Sequence, residues 1–291
     1  KELDTHIMRQ ISYGNKYLVQ DDDLWVDYAE DNPVSGRMVK FMLSENFLLT
    51  QGNQVEYFPM GEDAFESIFR ELEKAEKFIL IDFFIVAEGA LWDKMHEILK
   101  RKIEEGVEVK FMYDDFGAAI RTRKYFKQIL EHEGFEVRVF NPIMKYTSQL
   151  YMNFRSHQKI MVIDGKVGYT GGFNLADEYA NLVERFGVWK DTGIRMKGAA
   201  VWSFTCMFLE MWNYIINSTE DYEKFRPDAD YVAKIPSVGY VQPYSDTPLD
   251  HENTGENVYM NIINSAQKYV YIFTPYLIID HEMLVSLQNA A

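Results

Sequence analysis

The chain has 291 residues, 47% hydrophobic and 15% aromatic, which is enough to fill one large or two medium cores and excludes an intrinsically disordered protein. Thirty basic against 45 acidic residues leave a formal net charge of −15, the wrong sign for a protein whose main partner is a phosphate backbone, so nucleic acid is not expected as a partner. A single cysteine, Cys206, excludes a disulfide framework and a cysteine-rich zinc site, and no run reaches the ~18–20 apolar residues of a membrane span.

Residues 1–54 show no clear periodicity and read as an N-terminal extension, with an acidic run at Asp21, Asp22 and Asp23. The opening on Lys1 rather than Met leads us to expect a segment upstream, with room there for a membrane anchor. From Glu62, apolar positions Phe65, Ile68, Phe69 and Leu72 recur at helical spacing and predict a helix to about Lys77. Residues 78–86, apolar except for Asp82, read as a buried strand. A helix over 91–105 stopped by Gly106, a strand over 107–113, a helix over 121–132 and a strand over 135–140 follow. This alternation predicts an α/β domain, a layered mixed sheet flanked by helices. Residues 199–216 predict a helix with Trp202, Leu209 and Trp212 as core anchors and Cys206 packed inside it, and the polar stretch 217–230 reads as a linker.

After it the pattern restarts, with a helix over 258–268 and a strand over 269–277. Ala75-Glu-Lys-Phe-Ile-Leu-Ile81 aligns with Ala266-Gln-Lys-Tyr-Val-Tyr-Ile272 at an offset of 191 residues. This reads as the duplication of a whole domain. The expected organisation is an extension over 1–54, a first domain over 55–217, a linker over 218–240, and the start of a second copy over 241–291 that is incomplete at Ala291.

His157-Gln-Lys159-Ile-Met-Val-Ile-Asp164 has the form H-x-K-x4-D, which chance produces in roughly 2% of sequences of this composition. Residues 159–163 predict a strand, Asp164-Gly165 a two-residue hairpin turn, and residues 167–174 the return strand. With that turn Lys159 faces Thr170, His157 faces Gly172 and Arg155 faces Asn174. His157, Lys159, Thr170, Gly172 and Asn174 are then expected on one face of the sheet, with Asp164 in the turn. That face suits an oxyanion of phosphorus. Lys159 supplies charge, Asn174 a neutral donor, and Gly172 room beside the imidazole for a phosphoryl group. His157 is the candidate nucleophile or proton carrier. With a cationic side chain to neutralise the oxygens, no metal or other cofactor is expected. Asp164 completes the catalytic candidates, although the turn alone explains it. Read without function, the same residues are a solvated edge hairpin.

With Gly171-Gly172-Phe173-Asn174, these residues resemble the HKD signature of the phospholipase D superfamily, and the surrounding chain resembles a bacterial cardiolipin synthase. Gly61-Glu-Asp-Ala-Phe65 with Glu73-Lys-Ala-Glu-Lys77 is similar to that family's domain opening, and Asp114-Asp-Phe-Gly117 to the end of its second strand. Trp189-Lys-Asp-Thr192 is similar to its W-R-D-T element, and Thr274-Pro-Tyr276 to the opening of its second half. The resemblance implies two HKD motifs, one per half, meeting at one active site on a pseudo-two-fold axis. One His becomes a phospho-histidine and the other acts as general acid and then base. Carried onto this chain, it implies that His157 attacks phosphorus or partners the attacker. Lys159 and Asn174 hold phosphate oxygens, Asp191 orients an imidazole, and Asp164 is structural.

The activity implied is transfer between two phosphatidylglycerols, giving cardiolipin and glycerol at the bacterial cell membrane. Phosphatidylglycerol and anionic membrane lipid are the implied partners, and a homo-oligomer is among the arrangements left open. The alternatives are another phospholipase D-type lipid transferase or hydrolase, phosphatidylserine synthase-like, and a non-catalytic membrane-associated scaffold. Only one H-x-K-x4-D is present: Asn253 and Met283 stand where His251 and His281 would need Lys. The 191-residue offset puts a second motif near position 348, so the sequence as it stands is expected to have little transferase activity. Lys100-Arg-Lys102 and Arg121, Arg123, Lys124 and Lys127 read as local basic clusters for anionic head groups, or as solvated helix faces. Aromatics over 146–154 read as inserting at the interface or packing in the core.

Overall fold

The computed structural model describes residues 2–143, 154–185, 187–236, 238–247 and 252–291. The elements run α1 (Glu2–Gly14), α2 (Asp22–Asp31), α3 (Pro33–Ser44), β1 (Asn53–Phe58), α4 (Gly61–Leu72), β2 (Phe78–Phe83), α5 (Ala90–Glu104) and β3 (Glu108–Asp114). Then come α6 (Asp115–Ala118), α7 (Phe126–His132), β4 (Glu136–Phe140), β5 (Lys159–Ile163), β6 (Val167–Gly171), β7 (Gly193–Gly198) and α8 (Val201–Ile216), with α9 (Ala229–Ala233), α10 (Thr254–Ser265) and α11 (His281–Ala290) after them. The strands form one mixed sheet in the order β1-β7-β6-β5-β2-β3-β4. β2, β3 and β4 run parallel, and β5 joins β2 antiparallel and begins the antiparallel series β5-β6-β7-β1.

The apolar run of β2 is explained by its central place: every residue from Phe78 to Phe83 is buried. Ile79, Ile81 and Phe83 pack with α4 and α5 in one core, and Phe78 and Leu80 with α8 in the other. Phe65, Ile68, Phe69 and Leu72 of α4 are buried as their spacing predicts. The helix ends at Leu72 rather than near Lys77 because the next residues are tied to the hairpin turn: the N–H groups of Glu76, Lys77 and Phe78 donate to the Asp164 carboxylate at 2.9, 2.8 and 2.9 Å. α7 begins late, behind Tyr125 at φ 66°, because the preceding turn is held by the Arg123 N–H donating to Glu88. In α8, Trp202, Leu209, Trp212 and Cys206 are all buried.

The polar stretch read as a linker packs onto α8. Tyr222 and Phe225 are fully buried, Tyr222 stacked on Tyr17 at 4.7 Å and Phe225 edge-on to Phe78 at 5.0 Å. Beneath it the fully buried ammonium of Lys110 meets Glu136 at 2.8 Å, Glu220 at 3.0 Å and Glu108 at 3.1 Å, over the Trp212 ring. Most of the stretch from residue 2 to residue 44, read as an extension, folds into the three helices α1, α2 and α3. α1 lies along α8, and Trp202 Nε1 donates to the Tyr17 carbonyl at 2.9 Å. The acidic run starts α2: the Asp21 carboxylate accepts from the Asp23 and Leu24 N–H groups, where a helix N-terminus favours negative charge.

The strand predicted over 269–277 is not formed. The segment joins α10 to α11, with Tyr269, Tyr271, Phe273, Tyr276, Leu277 and Ile278 exposed. A strand needs a neighbour for its N–H and C=O groups, and no described strand lies beside this one. Among the described residues, no helix is long and apolar enough to cross a membrane.

Candidate active site

The turn joining β5 to β6 has the chemistry its sequence predicts. Asp164 and Gly165 adopt φ 54° and 64°, and the Lys166 N–H donates to the Ile163 carbonyl at 2.9 Å, as in a type I′ turn. Lys166 then stands as an extra residue against the ladder. Ile163 pairs with Val167 and Ile160 with Thr170, so the register is one residue away from the expected one. Thr170 therefore falls on the α8 side with Ile160, and Lys159 shares the opposite side with Met161 and Ile163.

At the open end of β5 the His157 ring is exposed and tilted over Phe84, with centroids 4.8 Å apart. Desolvation, and then the charge of Lys159, lower its pKa, which keeps the imidazole neutral and nucleophilic at neutral pH. Lys159 is 6% exposed. Its ammonium donates to the His157 carbonyl at 2.7 Å and lies 5.6 Å from the centre of the Phe84 ring. Burial lowers its pKa to about 8, against the upward pull of Asp82 and Asp191.

Asn174 is buried, with Oδ1 accepting from the Ile85 N–H at 2.9 Å and its amide meeting the Tyr179 hydroxyl, so it has at most one N–H left to offer. The space in front of Gly172 is not left for a phosphoryl group: the Asp191 carboxylate occupies the position a Cβ would take. Asp191 is held there by the Thr192 N–H at 2.9 Å and Trp189 Nε1 at 3.2 Å, and neither oxygen is hydrogen-bonded to His157. Burial raises its pKa, offset by those donors and by the Lys159 charge. Asp164 is not brought to His157. It sits beyond the other end of β5, its carboxylate engaged by the three N–H groups that open β2.

A layer of acids beneath the motif was not singled out from the sequence as functional. The Asp114 carboxylate accepts from the Ser156 N–H at 3.0 Å, the Phe116 N–H at 2.8 Å and Arg155 at 3.4 Å. Ser156 Oγ donates to Asp82 at 3.3 Å. The second oxygen of Asp82 is buried without a partner, and burial pushes its pKa up to about 8 and that of Asp114 to about 6. These two acids fix the backbone directly before His157. The signal for Asp82 was a lone carboxylate inside an apolar run.

The basic clusters are largely spent on neighbours. Lys100 pairs with Glu133 at 3.2 Å, Lys102 with Glu105 at 2.8 Å and Lys127 with Glu131 at 3.5 Å, and Arg101, Arg121 and Arg123 pair with Glu73, Glu178 and Glu88. Lys124 lies over the Tyr125 ring. Ion-paired side chains, on α5, on α7 and on the turn between α6 and α7, describe them better than a free cationic patch. Of the aromatic stretch, residues 146–153 lie outside the described residues. The one grouping with metal-ligand spacing among the described residues, Glu256, Asp280 and Glu282, belongs to α10 and the start of α11.

Residues 68–212 match the family described as "Cardiolipin synthase, PLD-like domain". The chain belongs to the phospholipase D superfamily. Within that superfamily it is related to the bacterial cardiolipin synthases. It is 34% identical over 252 residues to a cardiolipin synthase of Listeria innocua, covering 86% of this chain and 51% of that protein. It is 43% identical over 292 residues to an uncharacterized protein of Streptococcus mutans, covering all of this chain and 62% of that one. The chain thus spans about half the length of the cardiolipin synthases it matches. Among solved structures, phosphatidylserine synthase of Haemophilus influenzae superposes with a TM-score of 0.56 at 16% identity, over 87% of this chain and 63% of that one. That likeness concerns the fold alone.

Proposed function

We propose that this chain carries the first HKD half of a phosphatidyltransferase that makes cardiolipin and glycerol from two phosphatidylglycerols, with 241–291 opening the second half. In the first displacement a ring nitrogen of His157 attacks phosphorus. The bond from phosphorus to the glycerol oxygen breaks, and glycerol leaves with a proton from a general acid in the second half. In the second, the primary hydroxyl of another phosphatidylglycerol gives its proton to that same group and attacks phosphorus, and the phosphorus–nitrogen bond breaks. Lys159 and the remaining Asn174 N–H face the phosphoryl oxygens. One such contact is worth on the order of 3 kcal/mol in the transition state. Asp191 acts on the site through its position beside Gly172 and its pull on the Lys159 charge.

The observation that supports this reading most is the pairing of an exposed imidazole, held neutral, with a buried ammonium two residues on. Membrane association follows from the substrate, since both phosphatidylglycerols reside in a bilayer. The test is transfer by the full-length protein with labelled phosphatidylglycerol in vesicles, with glycerol, serine and water competing as acceptors. His157→Ala is expected to abolish both product and the covalent phosphate trapped on the protein. Near-wild-type turnover in that variant, or preferred transfer to serine or water, would refute the assignment.

A further inference from the structure

A cavity of about 480 Å³ adjoins His157 between α1, α8 and the end of β4. Its size is that of a small-ligand site. One set of lining residues is apolar: Ile7 and Ile11 from α1, Met207, Met211 and Ile215 from α8, and Phe140 from β4. Another comes from the polar segment that runs into β5, Arg155 through Gln158, and includes His157 itself. Further polar residues line it as well: Asn141, Asn217 and the segment from Ser245 to Thr247, with His6 and Glu210 beside the apolar residues of α1 and α8. His6 Nε2 is buried without a partner, and Glu210 forms no ion pair among the described residues. Burial pushes the Glu210 carboxyl up to about 8, so at neutral pH it is largely uncharged and can donate a hydrogen bond.

These surroundings select among the parts of a phospholipid. Free glycerol is wholly hydroxylic and would leave the α1 and α8 side chains unmatched. A hydrocarbon chain matches them, and an ester carbonyl at its head can accept from a neutral carboxyl. We propose that this cavity seats one acyl chain of the donor phospholipid, with the phosphorus at His157 and the chain between α1 and α8. The assignment rests on the lipid-transfer reading and deepens it: α1, which sequence reading set apart as an extension, becomes one wall of the substrate site.

The first test uses phosphatidylglycerols with four- and six-carbon chains below their micellar concentration, so that no bilayer competes for the chain. Each methylene withdrawn from water is worth about fourfold in binding. Two more methylenes on the seated chain are therefore expected to lower KM by roughly 16-fold in the full-length protein. Ile11→Trp and Met211→Trp fill the cavity from opposite walls, at positions that are only half-buried. Either is expected to reduce that gain to less than about threefold, because the filled cavity no longer takes up the two added methylenes. Equal chain-length gains in wild type and both variants would overturn the proposal.

The second test does not depend on turnover. Full-length His157→Ala protein is irradiated with vesicles of phosphatidylglycerol carrying a diazirine in one acyl chain, and the label is mapped by mass spectrometry. Label on α1 and α8 supports the cavity, even if the product proves not to be cardiolipin. Label confined to other elements overturns it, whatever the product.

Discussion

Replacing Asp164 separates holding the fold from doing chemistry. Its carboxylate accepts three backbone N–H bonds at 2.8–2.9 Å, from Glu76, Lys77 and Phe78, and its φ of 54° lies in the left-handed region. Hydrogen bonds to a charged acceptor contribute about 1.5–3 kcal/mol each. Asn tolerates the left-handed backbone and keeps one oxygen for Lys77 and Phe78, but it turns an amide N–H₂ towards the Glu76 N–H. Asp164→Asn is therefore expected to lose about 2–3 kcal/mol. Asp164→Ala loses all three acceptor contacts and adds about 1–2 kcal/mol of backbone strain, for a total of roughly 6–11 kcal/mol. Set against a typical stability of about 5–15 kcal/mol, that is enough to leave the Ala variant largely unfolded. The assay is urea unfolding of the full-length protein, beside turnover normalised to folded protein. With a slope of about 2–3 kcal/mol per molar, Asp164→Asn shifts the midpoint down by about 1 M. Turnover per folded molecule is expected to stay within about threefold of wild type, the size of an indirect effect. A hundredfold loss of kcat at an unchanged midpoint would refute the reasoning and place Asp164 in the chemistry.

Three further outcomes are expected. Lys159 must be protonated to meet phosphoryl oxygens and titrates near pH 8, so kcat/KM should fall above about pH 8; Lys159→Arg should remove that alkaline limb, and Lys159→Ala should lose at least about a hundredfold at pH 7. Asp82 has its pKa raised to about 8, so its contribution to stability is full below its unfolded value and is lost as pH rises towards 8. Asp82→Asn removes this titration, so its unfolding free energy in urea should gain on wild type from pH 5 to pH 7, by up to about 2–3 kcal/mol. Parallel pH profiles would sink that account. Lys110→Met leaves three carboxylates facing one another and should cost about 3–5 kcal/mol at pH 7. The same urea unfolding assay measures that cost, and an unchanged midpoint in Lys110→Met would refute it.

Much of this protein is written in local pattern. The helical spacing of Phe65, Ile68, Phe69 and Leu72 predicts α4. The apolar run after Lys77 predicts a buried strand, and Asp164-Gly165 predicts the turn of a hairpin. All three form, because side-chain periodicity and turn chemistry act over a few residues. The H-x-K-x4-D spacing likewise marks an imidazole and an ammonium that both lie by the Phe84 ring at the end of β5.

Tertiary structure decided the rest. One extra residue at Lys166 moves Thr170 to the opposite face, a shift that depends on how β6 meets β5 and β7 together. Asp191 fills the space before Gly172, and Asp82 and Asp114 reach Ser156 across 74 and 42 residues of chain, so no short window contains those contacts. Tyr222 and Phe225 look like parts of a solvated linker until α8 offers them a face. The strand pattern over 269–277 shows the converse: a segment can carry the periodicity of a strand, yet its backbone hydrogen bonds exist only when another strand is present to share them.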